Sequence, residues 1–398
     1  MTRRRWLATL VGAATVLVGC GGSGATHLAA PDPTDAPAPG AYVVSTTAAP
    51  PATAPAAAHR YPPQPDGVPF PTSEWPVGEL PPRIDRAVLD RAVNTAFGAA
   101  DATSRVQSIV VVQGGRIVYE RYHPLDSPDE IYPSFSVAKS ITSALIGLLV
   151  DDGMLTLDEH PDVRQWQRRG DPRQQITVRN LLQMSSGLQW DEVYEQGADP
   201  LNMLQAPNAA AYAAAKPLEW KPGAVFEYST GTTALLSGIA ADALGGCTKE
   251  VRYLRNRLFR PIGITTDRLL RDPRGCWYGG LGADMTTRDF ARFGLLYLRG
   301  GTWDGEQIVP TEWVDESRVP ATTNPGYGLQ WWLGPNGRAF QAEGLFGQRI
   351  VVVPGLDLVI AANSTAGSNP YPMIDTVRAL FAGEPVPVPP PGTLPVSL

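Results

Sequence analysis

Ser136-Val137-Ala138-Lys139 is the only S-x-x-K in the chain, and it opens a strongly apolar run that follows Pro133. A serine hydroxyl is a weak nucleophile and needs a base beside it. Positions i and i+3 share one face of a helix, so the Lys139 amine can lie against the Ser136 hydroxyl. A serine in a first helical turn also sits among unpaired backbone N–H groups at the positive helix end, which favours a developing oxyanion. To serve as a base near neutrality, Lys139 must titrate well below its ordinary ~10.4. Burial beside an apolar helix supplies a shift of that direction and size. Two further stretches can join this pair. Phe226-Glu227-Tyr228-Ser229-Thr230-Gly231-Thr232 follows Lys221-Pro222-Gly223 and precedes a helix. Tyr228 there can exchange protons with Ser136, as a phenolate or as a relay with Lys139; the alternative is a buried aromatic with a bonded hydroxyl. Phe340-Gln341-Ala342-Glu343-Gly344-Leu345-Phe346-Gly347-Gln348 lies at a strand end. Glycine in it lets a backbone N–H approach a substrate carbonyl, or simply makes a turn.

Composition removes other chemistries. The 398 residues carry a formal charge of −6 with no Lys/Arg-rich run beyond the first few residues, which argues against nucleic-acid binding. The four histidines stand at 27, 59, 123 and 160, and no G-x-S-x-G occurs. A triad with its histidine last in chain order therefore has no candidate. Three cysteines without a C-x-x-C pair argue against zinc-ribbon or thioredoxin-like chemistry. No metal site or cofactor is expected, and His123 and His160 read as surface or structural residues.

The N-terminus reads as an address. Arg3, Arg4 and Arg5 precede an uncharged run from Trp6 to Gly19, ending in Leu17-Val18-Gly19-Cys20. This is the layout of a secretory signal over residues 1–19, and the run is too short to span a bilayer core comfortably. Its ending resembles the lipobox of bacterial lipoproteins, which implies lipidation at Cys20 and a protein held by its lipid at the outer face of the cytoplasmic membrane. Cys247 and Cys276 then share an oxidising compartment, where they can pair; spacing alone does not decide it.

These residues need elements to position them. Residues 20–69 are rich in Pro and Ala and read as an extended linker, and residues 383–398 as a Pro-rich tail. Between them, 70–382 forms one folded unit. Ile84-Asp85 leads into a helical pattern at Val88, Leu89, Val93 and Phe97. Gln107 to Val112 and Ile117 to Tyr122 flank Gly114-Gly115 as a hairpin. An apolar helix covers 137–150, and mostly helical signals follow to about 300, including Val178 to Met184, Thr233 to Leu244 and Thr287 to Leu298. Strands return at Tyr327 to Leu333, Ala339 to Glu343, Ile350 to Val353 and Leu356 to Ala362, before a helix at Met373 to Leu380. Strands at both ends with helices between predict an α+β sheet domain carrying an α-helical insertion over about 150–300.

In this setting the sequence resembles the serine β-lactamase/penicillin-binding protein superfamily, on the class C-related branch that includes β-lactamase-related esterases and 6-aminohexanoate-dimer hydrolases. The family pattern S-x-x-K, Y-x-[NS] and a [KH]-[TSA]-G-like strand occurs in order at 136, 228 and 342–344. Connecting phrases are also similar: 181–188, Met285 to Gly294, and Tyr327-Gly328-Leu329-Gln330-Trp331-Trp332. The resemblance implies an antiparallel β-sheet flanked by helices, with an all-α subdomain across a cleft. It implies Ser136 as acylated nucleophile, Lys139 as its base partner, and Tyr228 as the group that takes the hydroxyl proton and later helps activate water. It places the oxyanion hole at the backbone N–H groups of Ser136 and Leu345. Ala342 stands where lactamases and transpeptidases usually carry Lys or His, and Thr230 replaces the more common Asn. Both departures point away from antibiotics and toward the esterase and aminohexanoate-dimer side. There a loop tyrosine contacts substrate, with Trp190, Asp191 and Tyr194 as the equivalents here; Thr230, Glu343 and Gly344 complete the expected substrate-binding set.

The expectation is a serine hydrolase that cleaves small esters or amides through an acyl-enzyme on Ser136. Its rivals are a cell-wall D-Ala peptidase or β-lactamase of the same fold, and a catalytically silent binding or scaffold lipoprotein. Intact Ser136, Lys139 and Tyr228 weigh against the last.

Overall fold

The computed structural model describes residues 65–98 and 105–386. The signal segment 1–19, Cys20, nearly all of the 20–69 linker and most of the 383–398 tail lie outside the described residues.

A six-stranded antiparallel sheet forms the centre. Its strands are β1 (Val106–Gln113), β2 (Arg116–Tyr122), β3 (Trp332–Leu333), β4 (Phe340–Gly344), β5 (Gln348–Val353) and β6 (Leu358–Ser364), in the order β2-β1-β6-β5-β4-β3. The first and last parts of the chain meet along β1 and β6, with Val110 opposite Ala361. The β1–β2 hairpin turns on Gly114 and Gly115 at φ 59° and 70°, the two positive angles a two-residue turn of this hand requires.

Both faces of the sheet are covered, so its strands are apolar on both sides. Ile109 and Val111 of β1 pack with Leu358 and Ile360 of β6 under two helices, α1 (Arg86–Gly98) and α10 (Tyr371–Ala382). Val110 and Val112, one residue out of phase, join the larger core on the other face, as the two-residue strand period dictates. That face is covered by α2 (Val137–Asp151) and α8 (Thr287–Leu298).

The helical subdomain consists of α3 (Val178–Leu182), α4 (Asp199–Gln205), α5 (Ala209–Ala214), α6 (Thr230–Ala243) and α7 (Cys247–Leu254). The insertion expected over about 150–300 therefore ends earlier, because α8 packs on the sheet through Phe290, Phe293 and Tyr297. A short helix, α9 (Thr311–Glu316), follows. Two other expectations shift. Of Tyr327 to Leu333 only the last two residues form a strand, since Gln330 adopts φ 63° and its side chain caps α3 by donating to Leu182 O at 2.8 Å. The helix expected from Thr233 begins at Thr230, because Ser229 caps it through Thr232 N–H at 2.9 Å.

The segment before α1 lies along the domain. Phe70 packs on Trp303 with ring centroids 5.3 Å apart, and Arg292 Nε donates to Pro71 O at 2.8 Å. A disulfide joins Cys247 at the start of α7 to Cys276. No helix among the described residues is long and apolar enough to cross a membrane.

Candidate active site

Ser136 sits at the mouth of α2, immediately before its first residue. The turn leading into it is strained and pinned. Phe135 adopts φ 44°, a conformation that costs a bulky residue free energy and persists only where its surroundings enforce it. Ser134 supplies that enforcement: its N–H donates to Asp284 Oδ1 at 3.1 Å, its hydroxyl to Leu281 O at 3.2 Å, and it accepts from Ala283 N–H at 2.8 Å. Arg268 in turn holds Asp284 at 2.8 Å.

Lys139, one turn along α2, is 1 % exposed. Its ammonium donates to Ser136 Oγ at 2.9 Å, Thr230 Oγ1 at 2.8 Å and Gly280 O at 2.9 Å, using all three of its donors. Burial lowers its pKa to about 8, against a smaller opposing pull from the Glu192 carboxylate. The Tyr228 ring covers the amine, with Nζ 4.8 Å from its centroid. Burial holds the Tyr228 phenol well above its ordinary range, against a smaller lowering by the Ser136 hydroxyl. Tyr228 is therefore a phenol at neutral pH, while Lys139 is the group poised to titrate.

Tyr228 belongs to an aromatic wall. It stacks on Trp332 at 5.5 Å and meets Tyr327 edge-on at 6.1 Å, and Phe226 packs behind both. Across the serine lies an apolar cluster of Phe135, Tyr194, Leu201, Leu204, Leu345 and Phe346.

Strand β4 closes the site. A Cβ on Gly344 would stand 2.5 Å from Ser134 O, so only glycine allows the strand end to approach the serine turn this closely. Leu345 begins the short turn that follows. Ala342 is buried, and its position offers a methyl group and no cation. Glu343 is occupied by Arg349 at 2.7 Å and by Gln341 Nε2 at 2.6 Å.

The expected loop residues separate into two kinds. Asp191 is exposed, and only its N–H is engaged, by Asp199 Oδ2 at 3.0 Å. Tyr194 donates to Glu192 Oε1 at 2.9 Å and lies 3.3 Å from Thr230 Oγ1. Trp190 is 6 % exposed and bonds Glu192 through its indole N–H, so it lines the interior of the loop. Glu192 is the residue the sequence reading missed, together with the Gly280 carbonyl. A signal was present: Trp190, Glu192 and Tyr194 alternate with exposed Asp191 and Val193, which in extended chain puts the three on one side. The Gly280 carbonyl has no sequence signature, since every residue carries one.

The beta-lactamase family model matches residues 98–384. The 6-aminohexanoate-dimer hydrolase of Paenarthrobacter ureafaciens is 25% identical over 289 residues, covering 65% of this chain and 72% of that one. Among solved structures, a Bacillus anthracis protein described as a candidate 6-aminohexanoate-dimer hydrolase aligns with TM-score 0.65 and 22% identity over 79% of this chain and 89% of its own. The octameric penicillin-binding protein homologue from Pyrococcus abyssi aligns with TM-score 0.61 and 20% identity, covering 76% and 78%. These structures share the fold: an antiparallel sheet between helices, with a helical subdomain beside the serine. The chain belongs to the beta-lactamase family, on the 6-aminohexanoate-dimer hydrolase-like branch of the serine β-lactamase/penicillin-binding protein superfamily, and is a serine hydrolase of the β-lactamase-related type.

Proposed function

We propose that this protein cleaves small, uncharged esters or amides through an acyl-enzyme on Ser136. The observation that carries the reading is the 2.9 Å contact between Ser136 Oγ and the buried, pKa-lowered Lys139 amine. Neutral Lys139 takes the hydroxyl proton as Oγ bonds to the substrate carbonyl carbon. The Ser136 and Leu345 N–H groups receive the oxyanion. As the C–O or C–N bond breaks, Tyr228 gives its proton to the leaving group and regains one from Lys139. Water then attacks the acyl carbon and gives one proton, relayed through Tyr228, to Lys139; as the Oγ–acyl bond breaks, that proton returns from Lys139 to Ser136 Oγ and the acid leaves. In this reading Lys139 is the base, and Tyr228 relays protons without resting as a phenolate.

Two features set the substrate class. The Phe135–Phe346 cluster begins next to Ser136 and the Tyr228–Trp332 stack adjoins the Lys139 amine, so apolar or aromatic acyl groups have surface to bury. Ala342 leaves no cation for a substrate carboxylate, and Arg349 is engaged by Glu343; this disfavours β-lactams and D-Ala-D-Ala termini. The name of the Paenarthrobacter relative supports amide cleavage as well as ester cleavage. Lipid attachment at Cys20 would hold the enzyme at the outer face of the cytoplasmic membrane.

A fluorophosphonate probe tests the nucleophile: it labels the wild type and misses Ser136→Ala, and equal labelling of both would overturn the assignment. A screen of p-nitrophenyl esters, short amides, D-Ala-D-Ala peptides and nitrocefin tests the substrate class; nitrocefin as the best substrate would refute it.

A further inference from the structure

Four donors converge on one carboxylate beside the nucleophile. Glu192 accepts from Thr230 N–H at 2.7 Å, from the Tyr194 hydroxyl at 2.9 Å, and from the Thr230 hydroxyl and the Trp190 indole N–H. The Thr230 amide is the first of α6, so the carboxylate also lies where the helix end favours negative charge. We infer that Glu192 is a positioning residue that acts through the Thr230 hydroxyl to aim the free electron pair of neutral Lys139 at Ser136. This rests on the proposed roles of Ser136 and Lys139 as nucleophile and base.

The argument is a count of protons. Charged Lys139 has three N–H donors and three partners: Ser136 Oγ, Thr230 Oγ1 and Gly280 O. When it loses a proton, two N–H groups remain and one direction holds the electron pair. That pair needs a donor opposite. The Gly280 carbonyl has no proton. Thr230 has one hydroxyl proton, and it is spent on Glu192. Ser136 alone can present a proton to the amine, so the two remaining N–H groups settle on Thr230 and Gly280. Without the carboxylate, the Thr230 proton is free to turn toward the amine, and the electron pair is then shared between a reactive hydroxyl and an inert one. A valine at 230 would remove the acceptor altogether.

Glu192 also sets charge. The groups facing Lys139 are Ser136 on its own helix, Tyr228 and Thr230 from the start of α6 and the loop before it, Gly280 O, and Tyr194 and Glu192 from the preceding loop; Glu343 on β4 acts on Tyr228. Among these, Glu192 is the charge that stabilises the ammonium, against the larger effect of burial. Removing it should therefore lower the pH at which Lys139 becomes neutral.

The experiment is the acylation burst with a p-nitrophenyl ester, followed from about pH 6 to about pH 10 across the titration of a buried lysine. Wild type, Glu192→Gln, Thr230→Val, Thr230→Ser and Ser136→Ala are compared. Glu192→Gln is expected to lower the plateau rate by about tenfold to a hundredfold, the scale of a misaligned reacting group, and to move the midpoint to lower pH. Thr230→Val should lose a similar factor, and Thr230→Ser should recover most of it. A purely structural role for Glu192 would not move the midpoint. Wild-type plateau and midpoint in Glu192→Gln would overturn the inference. If that variant fails to fold, Thr230→Val acylating as fast as Thr230→Ser would overturn it instead. A burst that survives Ser136→Ala would refute the nucleophile assignment, a different failure.

Discussion

Phe135 and Phe346, both held in the left-handed region at φ 44° and 63°, meet edge to face with ring centroids 5.4 Å apart. One precedes Ser136 and the other follows Leu345, the two residues whose amides are the proposed oxyanion donors. Their contact ties together the two sides of the proposed oxyanion site. Such aromatic pairs contribute about 0.5–1.5 kcal/mol beyond area burial. Phe346→Ala should lower stability by about that much or somewhat more and raise KM for aromatic esters more than it lowers kcat. Thermal melting and steady-state kinetics check this; an unchanged KM would remove Phe346 from the substrate wall.

The pH dependence should follow Lys139. Its pKa is lowered to about 8 by burial, so the ammonium form prevails below that value and the base form above it. Acylation should therefore rise with pH through about 8, and Tyr228, held well above its ordinary range, should not cause an alkaline fall in the same window. The stability sign is the same. Between about 8 and the ordinary lysine value the unfolded chain binds the proton and the folded one does not, so this group's contribution to stability increases with rising pH. Lys139→Met should abolish the pH limb and lower acylation by about two to four orders of magnitude. A Lys139→Met variant that keeps the wild-type profile would exclude this base.

Gly344→Ala tests the closeness of the strand end. The added methyl would stand 2.5 Å from Ser134 O, and Ser134 is bonded to three partners and cannot yield freely. The strand must withdraw, taking the Leu345 amide with it. Loss of one oxyanion donor costs about 10²–10³ in kcat, and a fall on that scale is expected while circular dichroism stays native. Full activity would place the oxyanion donor elsewhere.

The Cys247–Cys276 bond spans a separation of 29 residues within the helical subdomain. Closing a loop of that length restricts the unfolded chain, and its removal should cost about 2–4 kcal/mol. Cys247→Ser/Cys276→Ser should melt earlier than the wild type by a corresponding amount, with acylation unaffected below the transition. Peptide mapping without reduction should recover the two cysteines in one linked fragment; recovering both as free thiols would remove the bond from the account.

Much of this was legible along the chain because it depends on local spacing. A serine and a lysine three apart in an apolar helix must share a face, and the helix propensity and polarity that show it lie within a few residues. The same holds for the β-rich runs of β1 and β2 around the Gly114-Gly115 hairpin and for α8, whose bounds Thr287–Leu298 match the expected helix. What only the tertiary structure decided are the relationships between distant segments. Lys139 and Gly280 are 141 residues apart, Lys139 and Thr230 are 91 apart, and Thr230 and Glu192 are 38 apart. Such pairings arise when separate elements pack, and packing depends on the shapes and burial of all of them together. The positive φ at Phe135 is of this kind too, since a phenylalanine carries no local preference for it and the bonds around Ser134 impose it. Residue types along the chain supplied a hydroxyl and an amine; the folded interior buried the amine and brought the Ser136 and Thr230 hydroxyls against it.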